Sequence, residues 1–335
     1  MANLTVSTAN YKLQCGSETA LVWILGALIF GLVLNGTAWA TAYDDAQKCI
    51  QESQQGNFDI AIIVDCTRAI GSGQLSDADR AITFNNRGNT YFGKRDYAHA
   101  IQDYDQAIRI KPNYPEAFNN RGYAYYHQQD YDRAIQNYDQ AIKLNPNYAK
   151  AFNNRGGAYV DKRQYERALA DYEAAAKIDP KVARYKSMGF TLFYLGRMEK
   201  SAEAMVKAIH AAPQDMYAIV WRYLTRAKNG DFQSASVELG NHAAKLKERK
   251  WPMAVIDFYL GKSGEKTVHE SANYPDPKTK NEQLCEANFY VAEAKLLGGN
   301  SKDAVSLLRA ARKGCPATSV ESHGASLELR RLGQR

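Results

Sequence analysis

The chain has 335 residues, of which 45% are hydrophobic, and its 43 basic and 36 acidic side chains give a formal net charge of +7. This composition supplies enough apolar side chains for a real core, and the basic residues form no run typical of a nucleic-acid arm. The densest basic stretch, "KLKERK" at 245–250, falls where a helix is expected to end, and there it suits the helix dipole. Nucleic acid is therefore not expected as a partner.

The first forty residues contain an uncharged apolar stretch, "ALVWILGALIFGLVL" at 20–34, followed by Ala38-Trp39-Ala40. Fifteen helical residues span roughly 22 Å, less than the roughly 30 Å of a hydrocarbon core. We therefore predict a signal peptide over 1–40, cleaved near Ala40, and a periplasmic mature protein. An uncleaved anchor or an over-long start remains an alternative. No Cys follows the apolar stretch where a lipoprotein needs one, so no lipid anchor is expected.

Residues 81–182 contain three copies of a 34-residue unit, at 81–114, 115–148 and 149–182, and the first two copies agree at 19 positions. In each copy, apolar and small residues recur at spacings of three, four and seven, which places them on one face of two successive helices. Pro146 ends the second helix of the middle copy because proline cannot continue it. One such hairpin cannot bury its apolar face alone, so neighbouring hairpins must stack. The preceding residues, 41–80, are predicted to form a capping helical hairpin.

Small residues in the repeat are expected where its two helices cross, at Gly122 and Ala134 in the middle copy. Together with the period, the aromatic residues and the proline, they make the unit resemble the tetratricopeptide repeat. The resemblance implies an all-α fold, an α-α superhelical solenoid of helical hairpins.

One departure from that repeat is an arginine at offset 7, where the family usually has leucine. The three arginines are Arg87, Arg121 and Arg155. Asp103 and Asp171, on the partner helices, are expected to pair with the first and the third. We interpret these pairs as structural.

The pattern weakens over 183–335, where we expect degenerate hairpins of the same type and a C-terminal helix. A hairpin is predicted for "EANFYVAEAKLLGGNSKDAVSLLRAARKG", with its turn at Gly298-Gly299-Asn300. Irregular chain is expected mainly near 262–280, where Gly and Pro interrupt the pattern.

Four cysteines remain after the predicted cleavage, and they are placed symmetrically about two turns. The midpoint between Cys49 and Cys66 falls on the turn Gly56-Asn57-Phe58, and the midpoint between Cys285 and Cys315 is residue 300. Residues equidistant from the turn of an antiparallel hairpin face each other, so two disulfides are predicted in an oxidising compartment. The alternative is four buried small hydrophobic residues. No Cys-x-x-Cys motif supports a zinc site.

The sequence shows no pattern of catalytic residues. The six histidines are scattered, and neither His-Glu-x-x-His nor Gly-x-Ser-x-Gly occurs. The stretch "GKSGEKT" at 261–267 lacks the first glycine and the preceding strand of a phosphate-binding loop. We predict no enzyme activity, no cofactor and no metal. An exported enzyme with a solenoid body is the alternative, which a pocket with convergent titratable groups in 216–335 would support.

A protein-binding groove is the function that the repeats favour. In tetratricopeptide solenoids, offsets 2, 5, 6, 9, 12 and 13 of each first helix face the concave side, and here offsets 5 and 6 are always Asn-Asn. An Asn amide can pair with one peptide unit, so a row of them can hold an extended chain. The alternative is that these pairs only cap and solvate recently copied repeats. The candidate residues are Asn85, Asn86, Asn89, Phe92, Asn119, Asn120, Tyr123, Tyr126, His127, Lys150, Asn153 and Asn154.

The second half carries a more particular resemblance. The blocks "YAIVWRYLTRAKNGD", "KWPMAVIDFYLGKSGEKTV", "EQLCEANFYVAEAKLLGGNSKDAVSLL" and "LELRRLGQ" are similar, in the same order, to the C-terminal half of the bacterial lipoprotein NlpI family. This resemblance implies a dimeric periplasmic adaptor that brings a peptidoglycan hydrolase to a tail-specific protease. An accessory of unrelated secretion or envelope-biogenesis machinery is the alternative. Aromatic residues such as Trp221, Trp251, Phe258 and Tyr259 serve either self-association or the core.

Overall fold

The computed structural model describes residues 41–180 and 182–334, so the signal peptide predicted over 1–40 lies outside the described residues. The described residues form 17 α-helices without any β-strand, which confirms the predicted all-α fold. Within these two ranges, no helix is both long enough and apolar enough to cross a membrane.

The chain divides into two compact units, the first ending at Pro112. The helices of the first unit are α1 (41–54), α2 (Ile60–Gly71), α3 (Asp77–Gly93) and α4 (Tyr97–Ile110). Helices α3 and α4 form the first copy of the repeat as a hairpin. The sulfur atoms of Cys49 and Cys66 lie 2.10 Å apart, at bonding distance, which confirms the predicted pair across the hairpin α1–α2.

The second unit begins at Asn113 and is built from successive hairpins. Its first six helices are α5 (Pro115–His127), α6 (Tyr131–Leu144), α7 (Ala149–Asp161), α8 (Tyr165–Ile178), α9 (Val182–Tyr194) and α10 (Met198–Ala211). The later helices are α11 (Met216–Lys228), α12 (Phe232–Ala243), α13 (Met253–Tyr259), α14 (Glu265–Ser271), α15 (Pro277–Leu297), α16 (Ser301–Gly314) and α17 (Val320–Arg331). Helix α17 packs against α15, α16 and α9.

Each repeat hairpin depends on a glycine where its two helices cross. A Cβ atom on Gly122 would lie 2.8 Å from a ring carbon of Tyr138 and 3.1 Å from the carbonyl oxygen of Ala134. Gly88 and Gly156 face tyrosine rings at 2.7 and 2.8 Å in the same way. These separations are shorter than ordinary van der Waals contact, so a methyl group at this position forces the helices apart. The predicted role of the small residues is confirmed.

Two of the arginines at offset 7 pair with aspartates of the second helix, as predicted. The ion pairs are Arg87–Asp103 and Arg155–Asp171, each with nitrogen–oxygen distances of 2.7 and 2.8 Å. In the middle copy, Nε of Arg121 donates instead to the side-chain oxygen of Asn137 at 2.7 Å. Burial raises the pKa of Asp171, and Arg155 beside it opposes that shift. The contacts tie the two helices of each hairpin together inside the unit, where a charge without a partner would be costly.

The C-terminal half of the second unit has the largest apolar core. Trp221 is fully buried and stacks on Phe289, while Trp251, Phe258 and Tyr259 pack against or within the same core. The sequence left two roles open for these aromatic residues, self-association or the core, and they pack in or against the core. The sulfur atoms of Cys285 and Cys315 lie 2.04 Å apart, so the second predicted pair is confirmed.

The expectation of irregular chain over 262–280 is wrong in part. Helix α14 (Glu265–Ser271) lies inside this range, and α15 already begins at Pro277. The short helix is held to the unit by the buried Val268 and by His269, whose Nε2 lies 3.1 Å from the side-chain oxygen of Asn288. Helix α14 is too short to show a clear helical period of apolar residues in the sequence. It depends on these tertiary contacts for its stability.

Two adjacent glycines in α7 test the close crossing. A Cβ atom on Gly156 would lie 2.8 Å from Tyr172, whereas one on Gly157 meets its nearest atom only at 3.9 Å. We expect Gly156→Ala to lower the free energy of unfolding by about 1–3 kcal/mol through overpacking. Gly157→Ala is the matched control and should raise it by about 0.5–1 kcal/mol, because Ala favours the helix. Urea unfolding measures both, and equal effects of the two changes would contradict the close crossing.

Candidate protein-binding surface

In the first unit, the candidate asparagines of α3 are bonded within the protein. Asn85 and Asn86 are buried, and the side chain of Asn86 donates to the carbonyl of Ile82 at 2.8 Å. The backbone carbonyl of Asn86 accepts a hydrogen bond from Ser53 of α1 at 3.0 Å. The side chain of Asn89 accepts one from the Tyr104 hydroxyl at 2.9 Å. Phe92 is half-buried beside a tyrosine of the following helix.

In the second unit, the asparagines connect successive first helices to each other. Asn119 is 0% exposed, and its side-chain oxygen accepts from Asn154 at 3.0 Å. Its side-chain nitrogen donates to Asn120 at 3.2 Å. Asn153 is half-buried. The amides of α5 and α7 thus bond to one another across the boundary between two repeats.

The prediction of an exposed row of asparagine amides is therefore wrong for Asn85, Asn86 and Asn119. The first helices of neighbouring hairpins approach closely enough to bury these side chains, and a buried amide must find its partners inside the protein. Neither a peptide-binding row nor a merely solvating role describes them. They are polar contacts within the packed repeats, and Asn119 joins one repeat to the next.

The C-terminal end of α5 presents an aromatic cluster, which we define as Tyr123, Tyr126 and His127, with Tyr123 and His127 exposed and Tyr126 half-buried. Tyr123 is 37% exposed, and its ring lies parallel to that of Tyr126 at 6.2 Å between centroids. The His127 ring meets Tyr123 edge-on at 4.6 Å. Lys150, at the start of α7, is exposed as well. Of the predicted site residues, the exposed ones are Tyr123, His127 and Lys150.

A segment from the C-terminus lies against the same first helices. The hydroxyl of Tyr194 in α9 donates to the backbone carbonyl of Val320 at 3.0 Å. The ring of His323 lies 5.8 Å from that of Tyr194, and its Nε2 lies 3.5 Å from a carboxylate oxygen of Asp161. The beginning of α17 therefore covers part of the surface that α7 and α9 would otherwise present.

Between these helices and the C-terminal segment is a cavity of about 180 Å³, which we call the α7–α9 cavity. Its lining residues are Tyr126, Gly157, Val160, Asp161, Tyr172, Ser187, Phe190, Thr191, Tyr194, Thr318 and Val320. Burial raises the pKa of Asp161 to about 6, although an interaction with the Tyr126 hydroxyl opposes the shift. Burial also lowers the pKa of His323, and the nearby Arg163 adds to that effect.

Tyr126 is among the groove residues predicted from the sequence, whereas Asp161 is not. Tyr126 and Asp161 occupy offsets 12 and 13 of their repeats, both of which belong to the concave set. Applying the same rule to the third copy would have found Asp161. No sequence pattern predicted the contact of Val320 with Tyr194, because the two residues lie 126 positions apart.

Buried carboxyl groups also occur in the 216–335 half, where an enzyme was the alternative. Glu286 accepts hydrogen bonds from the Tyr217 hydroxyl at 2.9 Å and from the Trp251 indole at 2.7 Å. Glu321 accepts one from the Tyr290 hydroxyl at 3.1 Å. Both carboxyl groups are thus bonded to aromatic donors of the core, an arrangement that stabilises the packing and is not specific to catalysis.

Comparison with known families identifies the repeats. Residues 115–148 and 149–182 each match the tetratricopeptide repeat, and 88–129 match a second TPR repeat model. The chain therefore contains tetratricopeptide repeats with the boundaries predicted for the second and third copies.

Solved structures of other proteins resemble parts of this chain. A structure of PilF from Pseudomonas aeruginosa is 16% identical, covers 61% of this chain and 93% of its own, and superposes with a TM-score of 0.52. MamA from Desulfovibrio magneticus RS-1 is 24% identical over 50% of this chain and 96% of its own, with a TM-score of 0.46. YrrB, described as a TPR protein with an unusual peptide-binding site, is 16% identical over 67% and 97%, with a TM-score of 0.41. At these identities, the likeness to PilF supports the all-α tetratricopeptide fold and says nothing about partners.

The carboxyl group of Glu321 makes stability depend on pH. Glu321 is 4% exposed, and burial, followed by the charge of Glu286, raises its pKa to about 7. A raised carboxyl pKa stabilises the folded state at low pH, and this stabilisation is lost as the pH rises from about 4.3 through 7. We expect Glu321→Gln, which keeps an acceptor for Tyr290, to raise the free energy of unfolding at pH 8.5 by about 2 kcal/mol.

At pH 4 the same variant and the native chain should be equally stable. Urea unfolding at pH 4 and at pH 8.5 measures both differences. Glu116→Gln, at an exposed position on α5, is the control. A stability gain that is the same at both pH values would contradict the assignment to Glu321.

Proposed function

We propose that this protein is an exported adaptor without enzymatic activity, which binds segments of other proteins on the first-helix surface of its second unit. The observation that carries the proposal is the aromatic cluster of Tyr123, Tyr126 and His127 on a tetratricopeptide hairpin, in which Tyr123 and His127 are exposed. Aromatic side chains are enriched in protein interfaces, and helical-hairpin repeats serve as extended binding surfaces. Lys150, exposed on the next first helix, adds a charged group to this surface.

Export is supported by two independent features of the chain. The apolar stretch at 20–34 and the small residues near Ala40 have the pattern of a secretory signal. The two cysteine pairs at bonding distance suit an oxidising compartment such as the periplasm. Without a cysteine after the apolar stretch, we propose a mature protein that is free of a lipid anchor.

The clients that we propose are a peptidoglycan hydrolase and a tail-specific protease. This part rests on the resemblance of the second half to the NlpI family. The same resemblance suggests self-association. The aromatic residues that could have served it, such as Trp221, pack within or against the core and therefore do not support it.

Capture from a periplasmic extract of the native host tests the proposal. The tagged full-length chain should recover a hydrolase or a protease from the envelope. The double change Tyr123→Ser and His127→Ala should reduce that recovery about tenfold or more, because interface energy concentrates in a few aromatic residues. The matched control is Tyr274→Ser, which removes an exposed tyrosine outside the repeat surface.

Two results would contradict the proposal, and a third would change its clients. Equal capture by the native chain and the double variant would remove the α5 cluster as the binding surface. Absence of the tagged chain from the periplasmic extract would overturn export. Recovery of a different secretion or biogenesis machine would keep the adaptor and replace the clients.

A further inference from the structure

The α7–α9 cavity contains an acidic group with unused bonding capacity. The Asp161 side chain is 5% exposed, and its Oδ2 atom has no hydrogen-bond partner among the described residues. A buried carboxylate oxygen in a native structure normally has a partner, since leaving it without one costs free energy. The carboxylate lies among the residues that line the cavity, so a ligand there can supply the missing contact.

Several hydroxyl groups of the lining are already engaged with groups of the protein. The Tyr194 hydroxyl donates to Val320, and the Thr191 hydroxyl donates to the carbonyl of Ser187 at 2.9 Å. The hydroxyl of Tyr172 interacts with the side chain of Ser187, and that of Tyr126 interacts with Asp161. The buried polar atom without a partner is the Asp161 Oδ2 acceptor, so a ligand that matches it must donate a hydrogen bond.

The charge of the site favours a cation. The basic group that lies within 4 Å of Asp161 is His323, at 3.5 Å, and burial lowers its pKa, so it is neutral near pH 7. Among the described residues, Asp161 is therefore a buried acid with no arginine or lysine nitrogen within 4 Å. With its pKa at about 6, it is mostly ionised at pH 7.5.

The walls of the cavity suit an alkyl group attached to that cation. Four aromatic residues contribute to the lining, namely Tyr126, Tyr172, Phe190 and Tyr194. Aromatic faces attract cations, and they also pack against methylene groups. A cavity of about 150 Å³ holds a molecule the size of benzene, so 180 Å³ is sufficient for a short alkyl chain.

We propose that the α7–α9 cavity binds a primary alkylammonium group, with Asp161 as the acceptor and the aromatic rings around its alkyl chain. A lysine side chain and the amino terminus of a peptide both present this chemistry. The proposal does not depend on the adaptor function, because a free amine tests it in the absence of any client.

The first experiment is a ligand-observed NMR titration of the mature chain at pH 7.5 with n-butylammonium chloride. We expect saturable binding in the millimolar range. Asp161→Asn should weaken it about tenfold or more, as expected when a charged hydrogen-bond partner is lost. The neutral probe 1-butanol and inorganic ammonium chloride should each bind at least about tenfold more weakly, because each lacks one of the two features.

Two further arms identify the source of the ammonium group. Nα-acetyl-lysine methylamide carries it on the side chain, and alanine methylamide carries it at the amino terminus. The ε-acetylated form of the lysine probe, which is uncharged, should not bind. Whichever charged probe binds more tightly identifies the kind of ligand for which the cavity is shaped.

Stability measurements separate a lost site from a lost fold. Because the pKa of Asp161 is raised in the folded state, ionisation destabilises the fold as the pH rises above about 4. Asp161→Asn should therefore unfold at an equal or higher urea concentration than the native chain at pH 7.5. Asp132→Asn removes an exposed negative charge outside this cavity and should leave amine binding unchanged.

Several results would overturn the proposal. They are failure of the native chain to bind n-butylammonium, equal binding by the Asp161→Asn variant, and equal affinity for 1-butanol. Loss of binding in the Asp132→Asn variant would also contradict it, because general surface charge would then explain the attraction.

Discussion

The contact between a glycine of one helix and a tyrosine ring of the next is the constraint on which the repeats depend. In all three regular copies, the ring lies where a Cβ atom would have to be. The glycine therefore fixes the distance and the crossing of the two helices, and the tyrosine fills the space between them. The ion pairs Arg87–Asp103 and Arg155–Asp171 then hold the same two helices together beside this crossing.

This close packing also determines which polar residues remain available. The asparagines at offsets 5 and 6 lie near the middle of each first helix, where neighbouring hairpins meet, and Asn119 is enclosed there by Asn154 and Asn120. The residues at offsets 9 to 13 lie nearer the end of the helix. Tyr123, Tyr126 and His127 remain exposed or half-buried on α5, while Asp161 on α7 faces the C-terminal segment. The exposed part of the first-helix surface is thus aromatic, with Asp161 buried behind it, and does not form the predicted row of amides.

Much of the fold could be predicted because its signals are local or periodic. The repeat period, the glycine at the crossing and the arginine partners follow from residues within one copy. The cysteine pairs follow from their symmetry about two turns. Burial of Asn119 was not predicted, because it depends on how closely two copies approach. The contact of Val320 with Tyr194 was missed for a related reason, since no sequence period relates the C-terminal segment to the helix it covers.

The most direct test of the glycine–tyrosine constraint is a double-mutant cycle in the middle copy, which combines Gly122→Ala with Tyr138→Val. If the added methyl group is destabilising because it meets the ring, its effect must shrink when the ring is removed. We expect a coupling free energy of about 1–2 kcal/mol from urea unfolding of the four chains. Additive effects of the two changes would show that the glycine is needed for another reason, and that the tyrosine ring does not set the spacing of the two helices.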